Sequence, residues 1–312
     1  MVRVSHLRGA CTCHQPSRAN RLVWLRRGGC DTVFAVRRGL GAGALAGLLL
    51  LAACSGGAAA PAPDPATRSV SVSPSQAPPT TTPSTVAAKP PATSRQAKAV
   101  VVLDPGHNGG NASHPAEINK QVPAGRGATK PCNTTGTSTS AGYAEHAFTW
   151  DVAQRVGAAL AAQGVRVVYT RDSDTGVGPC VDRRAAIGNE AGAAAVVSIH
   201  ADGSDSPGAR GFHVSYSSPP LNAAQRTPSI ALADDLRDAF GGAGFPTSNY
   251  LGANGIYPRR DLAGLNLSTR PAALVECGNM RNPAEAAAMS SAAGRQHYAD
   301  AIVAAILHYL NG

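Results

Sequence analysis

Aromatic residues are scarce in this 312-residue sequence, and Cys-x-x-Cys pairs are absent from it. Phe, Trp and Tyr together make up only 4% of the chain. The missing cysteine pair argues against a zinc site built from thiolates and against a thioredoxin-type redox motif. The net charge is +9, but no basic stripe with aromatic or helical context accompanies it. The sequence therefore predicts no nucleic-acid partner.

The main apolar run is too short to cross a bilayer as a helix. It covers residues 40–53, LGAGALAGLLLLAA, whereas a spanning helix needs about 20 apolar residues. Arg37 and Arg38 precede this run and small residues follow it, which is the order found in a secretory signal peptide. We therefore expect export from the cytoplasm to the cell envelope.

The apolar run ends in Leu-Ala-Ala-Cys at Cys54, which resembles a bacterial lipobox. In a lipobox the cysteine is lipidated and the chain is cut before it, so the mature protein would be a membrane-anchored lipoprotein. Simple cleavage, giving a secreted or periplasmic protein, is the alternative. The first thirty-five residues are long for a signal peptide, so a start near Val33 or Val36 also stays open.

Composition divides the chain into three segments. Residues 1–54 are predicted to be the leader and signal peptide. Residues 55–98 are rich in Pro, Ala, Ser and Thr and contain no aromatic residue, so they bury too little apolar surface to offset the entropy of ordering and should be a disordered tether. Residues 99–312 are predicted to form one catalytic domain. No internal repeat and no second folded module follows, and we expect a monomer.

Strand and helix patterns alternate through the folded region. Strands are predicted over Ala99–Leu103, Val165–Tyr169, Ala194–Ile199, Phe212–Tyr216 and Ala272–Val275, and helices over Ala147–Gln163, Val181–Glu190, Ser229–Phe240 and Gln296–Leu310. Asn282 and Pro283 read as the cap and first turn of a further helix. This alternation predicts an α/β fold with a single twisted, mainly parallel sheet, helices on both faces, and an active site at the carboxyl ends of the strands.

Polar residues stand where several of these strands end. His107 follows the first strand, His200 ends the strand VVSIH, and Glu276 ends the strand ALVE. Ligands of open parallel sheets bind beyond the carboxyl ends of the strands. Glu145, at the start of a helix, can face the same edge. Two imidazoles and a carboxylate suit a catalytic zinc ion, so we predict His107, Glu145 and His200 as ligands and Glu276 as the general base.

Simpler interpretations compete with this one. A lone histidine at the end of a strand is usually a hydrogen-bonding residue, and Glu145 alone is more often a helix-start carboxylate. Glu276 is harder to dismiss, because an acid in an apolar strand is costly to bury without a partner. Other candidates are His114, Glu117, His146 and His213. Cys277 should alternate to the opposite face of its strand and lie in the core.

Five sequence stretches follow one another along the region from Ala99 to Leu310: VVLDPGHNGG, GYAEHAF, VVYTRD, RRAAIGNEAGAAAVVSIHAD and PAALVECGNMRNPAEAAAM. In these stretches and in their order, the region resembles the zinc-dependent N-acetylmuramoyl-L-alanine amidases of the type-three class. The resemblance implies Zn2+ bound by His107, Glu145 and His200, with Glu276 as the catalytic carboxylate. Asn108 and Gly188 depart from the usual family pattern, but neither is a predicted ligand.

The resemblance also implies a substrate and a reaction. The substrate would be peptidoglycan or a muropeptide, cut between the lactyl group of N-acetylmuramic acid and L-alanine. A zinc peptidase acting on the stem peptide is one alternative. A non-catalytic wall-binding lipoprotein is another, although the complete set of predicted ligands argues against it.

The segment Asn111–Gly142 separates two of the predicted ligands and is the least regular part of the folded region. Its Gly, Pro, Thr and Ser content favours turns and loop over helix. Cys132 lies within it, and Cys180 lies in another loop on the carboxyl side of the sheet. Since export permits disulfides, we predict a Cys132–Cys180 bond. This bond would hold the segment beside the cleft, where it could gate large glycan substrates.

Overall fold

The computed structural model describes residues 99–312. The predicted leader, the signal peptide with Cys54 and the tether over residues 55–98 lie outside the described residues. The strands are β1 (Val100–Pro105), β2 (Gln121–Gly125), β3 (Ala128–Pro131), β4 (Arg166–Tyr169), β5 (Ala195–Asp202), β6 (His213–Ser215) and β7 (Ala272–Asn279). The helices are α1 (Pro115–Ile118), α2 (Glu145–Ala161), α3 (Val181–Glu190), α4 (Thr227–Gly242), α5 (Ala263–Asn266), α6 (Pro283–Ser290) and α7 (Ala292–Asn311).

The central sheet of the described region has the strand order β4-β1-β5-β7-β6. Its first four strands run parallel, and β6 runs antiparallel to β7. β1 and β5 are nearly continuous apolar runs because elements cover both of their faces, as is typical of parallel sheets. The predicted α/β fold with a mainly parallel sheet is confirmed.

One face of the sheet carries the main hydrophobic core. Leu103, Ile199 and Val275 pack there against α2, α4 and α7. Helix α2 contributes the four buried side chains whose spacing predicted it, Phe148, Val152, Val156 and Leu160. Cys277 also lies on this face and is only 1% exposed, as its place in the strand alternation predicted.

The opposite face of the sheet is covered by α3, α5 and the β2–β3 hairpin. A smaller cluster there contains Val196 and Leu274. Because side chains alternate along a strand, the polar residues in step with these two face the same side. They are Ser198 and His200 on β5 and Glu276 on β7. The site residues therefore lie on the face of the sheet that carries the smaller hydrophobic cluster.

Two strands run further than the sequence predicts. β5 continues past His200 to Asp202, and β7 continues past Glu276 to Asn279. The ladder resumes between Asp202 and Asn279 after an irregularity in register, so pairing persists around the site. The prediction that His200 and Glu276 end their strands is therefore wrong in detail, although both lie near the carboxyl edge.

The Asn111–Gly142 segment is more regular than its composition predicts. It contains the short helix α1 and the β2–β3 hairpin, and the buried side chains of Ile118 and Ala124 anchor it. The Cys132–Cys180 disulfide is formed and joins this segment to the start of α3. No described helix combines the length and apolar character that a membrane crossing requires.

Candidate metal centre

Two imidazoles and one carboxylate meet at the carboxyl edge of the sheet. His107 lies in the loop after β1, Glu145 is the first residue of α2, and His200 lies in β5. Nε2 of His107 is 3.1 Å from Oε2 of Glu145, and Nδ1 of His200 is 3.0 Å from Oε1. Within residues 99–312 this is the one group of at least three His, Cys, Asp or Glu side chains whose candidate ligand atoms all lie within 4.8 Å of one another.

The chemistry and spacing of these donors fit a zinc ion. Zinc binds imidazole nitrogen and carboxylate oxygen at about 2.0–2.2 Å, which places the ligand atoms of a tetrahedral site roughly 3.3 Å apart. The two imidazole–carboxylate separations are close to that value, each measured to a different oxygen of Glu145. Three protein ligands also leave one position for water or substrate, as in catalytic zinc sites.

Glu145 is the buried centre of this group. Its Oε2 accepts a hydrogen bond from the backbone N–H of Thr137 at 2.9 Å, and its Oε1 accepts one from Ala201 at 3.1 Å. Burial alone would raise the pKa of the Glu145 carboxyl, but the imidazoles of His107 and His200 hold it well below its usual range. Glu145 is therefore a carboxylate, which is the form that a metal ligand needs.

His107 has an uncommon backbone conformation, with φ of 60°. Its backbone carbonyl accepts a hydrogen bond from Nη2 of Arg184 at 2.8 Å. Its ring Nδ1 lies 3.0 Å from the carbonyl oxygen of Thr134. A carbonyl can only accept, so Nδ1 carries a proton toward Thr134, and Nε2 is the ring atom that faces Glu145 and is free to bind a metal ion. Contacts on both the backbone and the ring thus orient this imidazole.

Two glycines permit the close approach of these side chains. A Cβ atom at Gly106 would lie 2.3 Å from the His200 ring. A Cβ atom at Gly136 would lie 2.8 Å from Oε2 of Glu145 and from the His107 ring, and φ there is 77°. A larger residue at either position would displace a candidate ligand.

Glu276 lies in the same cleft as the three candidate ligands. Its Oε2 is buried and has no hydrogen-bond partner among the described residues. Burial raises the pKa of its carboxyl well above the usual range, and the carboxylates of Glu145 and Asp202 raise it further. A carboxyl group with these properties is a candidate for proton transfer.

The cleft has a volume of about 410 Å³ and is lined by both polar and apolar residues. The four candidate site residues are among the polar ones. The other lining residues include Val181 and Ala185 of α3, Leu262 and Leu265 around α5, and Lys130 of the hairpin. A substrate with a polar reacting group and short apolar side chains suits this shape.

The other candidates from the sequence lie elsewhere. Nδ1 of His146 pairs with Oδ2 of Asp174 at 2.7 Å, so it points away from Glu145 as expected. His114 bonds the carbonyl of Gly110, and Glu117 is exposed. His213 is buried next to the site, because the register pairs it with Glu276 across β6 and β7.

A buried polar network that the sequence patterns do not predict lies beneath His107. Asp104 accepts hydrogen bonds from Thr170 at 2.6 Å, Ser198 at 2.7 Å and Arg184 at 2.9 Å. Burial raises the pKa of Asp104, but Arg184 and the two hydroxyls outweigh it and lower the pKa to about 2. A carboxylate within the apolar strand VVVLDP was the available signal, because such a group requires a partner when buried.

Comparison with known proteins identifies relatives along most of the described region. Residues 101–308 match the family profile described as N-acetylmuramoyl-L-alanine amidase. An N-acetylmuramoyl-L-alanine amidase of Mycobacterium tuberculosis is 53% identical over 211 residues, which cover 68% of this chain and 86% of that relative.

Solved structures give the same result. The N-acetylmuramyl-L-alanine amidase Ami1 from Mycobacterium smegmatis is 55% identical with a TM-score of 0.67, over 69% of this chain and 97% of the other. Apo Ami1 from Mycobacterium abscessus is 50% identical with a TM-score of 0.66, over 68% and 99%. The amidase AmiC2 of Nostoc punctiforme is 27% identical with a TM-score of 0.52, over 69% and 98%.

Proposed function

The chain belongs to the N-acetylmuramoyl-L-alanine amidase family, and we propose that it uses a zinc ion bound by His107, Glu145 and His200 to cut peptidoglycan. The bond hydrolysed is the amide between N-acetylmuramic acid and L-alanine. The observation that carries the zinc assignment is the meeting of two imidazoles and a carboxylate beside a second buried carboxyl, that of Glu276, in one cleft.

The zinc ion and Glu276 have separate tasks in this reaction. Zinc, when bound, polarises the scissile carbonyl and lowers the pKa of a water molecule to about 7. Glu276 accepts the proton of the attacking water and passes it to the departing amine of L-alanine. The raised pKa of Glu276 suits this task, because its carboxylate is a stronger base than an ordinary glutamate. The products are a free stem peptide and a glycan bearing a lactyl carboxylate.

The proposed place of action is the cell envelope, since peptidoglycan lies outside the cytoplasm. The apolar run over residues 40–53 supports export. Lipidation of Cys54 would anchor the mature protein to a membrane, and plain secretion is the alternative. We propose that the enzyme acts as a monomer, since the cleft is built within one chain.

A zinc peptidase acting on the stem peptide remains the second candidate, since the same donors and the same proton carrier would serve it. The family relationship favours the amidase. Mass spectrometry of products from purified muropeptides distinguishes the two. We expect an intact stem peptide beginning with L-alanine and a bare disaccharide, and we expect a chelator to abolish both. Shortened stem peptides still attached to the sugar would contradict the amidase assignment.

The metal assignment has its own test, which does not depend on the bond that is cut. The purified protein should contain close to one zinc ion per chain, and His107→Ala or His200→Ala should lose it because each removes one of three protein ligands. Elemental analysis measures this directly. Replacement of His146 by Ala is the matched control, because its ring pairs with Asp174. Full zinc content in both ligand variants would contradict the proposed centre.

A further inference from the structure

We propose that the Cys132–Cys180 disulfide sets the zinc affinity of the site by positioning His107 from two sides. One side is the carbonyl of Thr134, which orients the ring. The other is the guanidinium of Arg184, which holds the backbone. This inference rests on the proposed zinc function, and it assigns positioning roles to residues that are not ligands.

The ring contact depends on a segment without helix or strand structure. Residues 133–137 follow Cys132 directly. Within them, the Thr134 carbonyl lies 3.0 Å from Nδ1 of His107 and also accepts a hydrogen bond from Nδ2 of Asn111 at 2.7 Å. The N–H of Thr137 binds Glu145. No β-ladder or helix fixes the position of this segment. Its hydrogen bonds and the neighbouring Cys132 therefore determine where the Thr134 carbonyl lies.

The backbone contact comes from the start of α3. Arg184 is 4% exposed, and its Nη2 donates to the His107 carbonyl at 2.8 Å while Nη1 donates to the Pro105 carbonyl at 2.7 Å. Its Nε donates to the Pro179 carbonyl at 2.9 Å. The positive φ of His107 is unfavourable for a residue with a side chain, so these donors hold a conformation that the chain would otherwise leave.

The disulfide joins the two supports. Cys132 immediately precedes the 133–137 segment, and Cys180 is the residue that precedes α3. The N–H of Val181 also donates to the Cys132 carbonyl at 2.9 Å. Without the covalent bond, this hydrogen bond and the packing of α3 against β2 are what join the two pieces of chain. The carbonyl of Thr134 and the guanidinium of Arg184 would then be held less tightly around His107.

Partners that orient a metal-ligating histidine typically change metal affinity by about 10- to 100-fold when they are lost. We therefore expect the zinc dissociation constant to rise by about that factor in the double variant Cys132→Ala/Cys180→Ala. Arg184→Lys should act in the same direction, because lysine keeps a charge beside Asp104 but loses the planar fork that reaches three carbonyls.

The test measures zinc affinity of the whole exported protein by competition with a chromogenic chelator, with the absorption spectrum of the Co2+ form as a second readout. Cys277→Ala and Arg183→Lys are matched controls, since Cys277 is a free thiol in the core and the Arg183 side chain is exposed. Both controls should keep the wild-type dissociation constant and spectrum.

The outcomes separate this inference from the proposed function. Wild-type affinity in a folded cysteine double variant would overturn the inference while leaving the zinc site intact. If that variant fails to fold, Arg184→Lys decides, and an unchanged dissociation constant and Co2+ spectrum overturn the inference. A wild-type protein that binds no zinc would instead contradict the metal function itself.

Discussion

The two glutamates of the cleft differ in what surrounds their carboxyl groups. Glu145 accepts hydrogen bonds from two backbone N–H groups and pairs with two imidazoles, whereas Oε2 of Glu276 has no partner in the described part of the chain. Burial acts on both, but the imidazoles outweigh it at Glu145 and lower its pKa, while the pKa of Glu276 is raised. When their surroundings move the pKa values of two carboxyl groups apart, the two groups are suited to different roles.

Replacing Glu276 by Gln tests this division of roles. The amide cannot accept the proton of the attacking water, so hydrolysis of muropeptides should fall by at least about 10²-fold. The zinc content and the fold should stay at wild-type levels, because Glu276 is not among the candidate ligands. Product assays and elemental analysis on one preparation measure both quantities. Loss of zinc in this variant would make Glu276 a ligand and require a new role for Glu145.

His213 is a buried imidazole whose environment disfavours its charged form. Its ring makes an edge contact with Tyr257, with centroids 5.5 Å apart, and its Nδ1 has no hydrogen-bond partner among residues 99–312. Burial lowers the pKa of His213 from its ordinary 6.5 to about 4; the nearby Asp202 opposes this shift and Arg259 adds to it. The side chain is therefore neutral in the folded protein at pH 7.

This pKa predicts an acid sensitivity of stability. As the pH falls below 6.5, the unfolded chain takes up a proton on His213, whereas the folded protein does so only near pH 4. Stability is therefore lost across that window, and His213 should account for about 2 kcal/mol of the decrease between pH 7 and pH 5. Urea unfolding at both pH values should show a smaller decrease in His213→Gln. Equal decreases in variant and wild type would contradict the assignment.

At the scale of elements, the β2–β3 hairpin forms a wall of the cleft. Its residues Lys130 and Pro131 line the cavity. Arg126 at its turn donates to Oδ1 of Asn266 at 3.3 Å and to the hydroxyl of Ser217 at 3.0 Å. Nδ2 of Asn266 in turn donates to the Ala124 carbonyl at 2.9 Å. These bonds fasten the hairpin to α5 and to the chain just after β6.

Shortening the hairpin tests whether it controls access. Replacing residues 122–129 by a short Gly-Ser linker keeps Cys132 and the candidate ligands but opens one wall. We expect activity on polymeric cell wall to change several-fold more than activity on a small muropeptide, because only the large substrate must pass the hairpin. Arg126→Ala is the milder companion variant, since it removes only the fastening. Equal changes on both substrates would mean that the hairpin is scaffold rather than gate.

At the scale of the whole molecule, the segments that precede the catalytic region are predicted to determine where it acts. The sequence predicts lipidation at Cys54 and a tether over residues 55–98. A lipid anchor with a tether of this kind would keep the enzyme near the membrane while allowing its cleft to reach the wall.

Membrane partitioning of the full chain tests the lipidation prediction. The exported wild-type protein should sediment with membranes, and Cys54→Ala should move it to the soluble fraction because the acylated cysteine is lost. Cys30→Ala is the matched control, since that cysteine precedes the apolar run. If the wild-type protein is wholly soluble after export, lipidation at Cys54 is contradicted and plain secretion is the alternative that remains.

Long periodic patterns were sufficient for the main elements. The predicted helix Val181–Glu190 has the observed bounds, and the cap at Asn282 accepts hydrogen bonds from the N–H groups of Ala284 and Glu285. The short helices α1 and α5 and the β2–β3 hairpin were not predicted. The two helices are four residues long, and the two strands of the hairpin are five and four residues long. Tertiary contacts outweigh local propensity at such lengths.

The sequence by itself determined the fold class and four candidate site residues, because strand patterns carry their period locally and parallel strands bring their carboxyl ends to one edge. Only the tertiary structure decided how His107 is held. Its supports are the carbonyl of Thr134, 27 residues away, and the guanidinium of Arg184, 77 residues away. Every residue has a backbone carbonyl, so the sequence does not show which of them will contact His107. Which groups a buried arginine can reach depends on how α3 packs on the sheet.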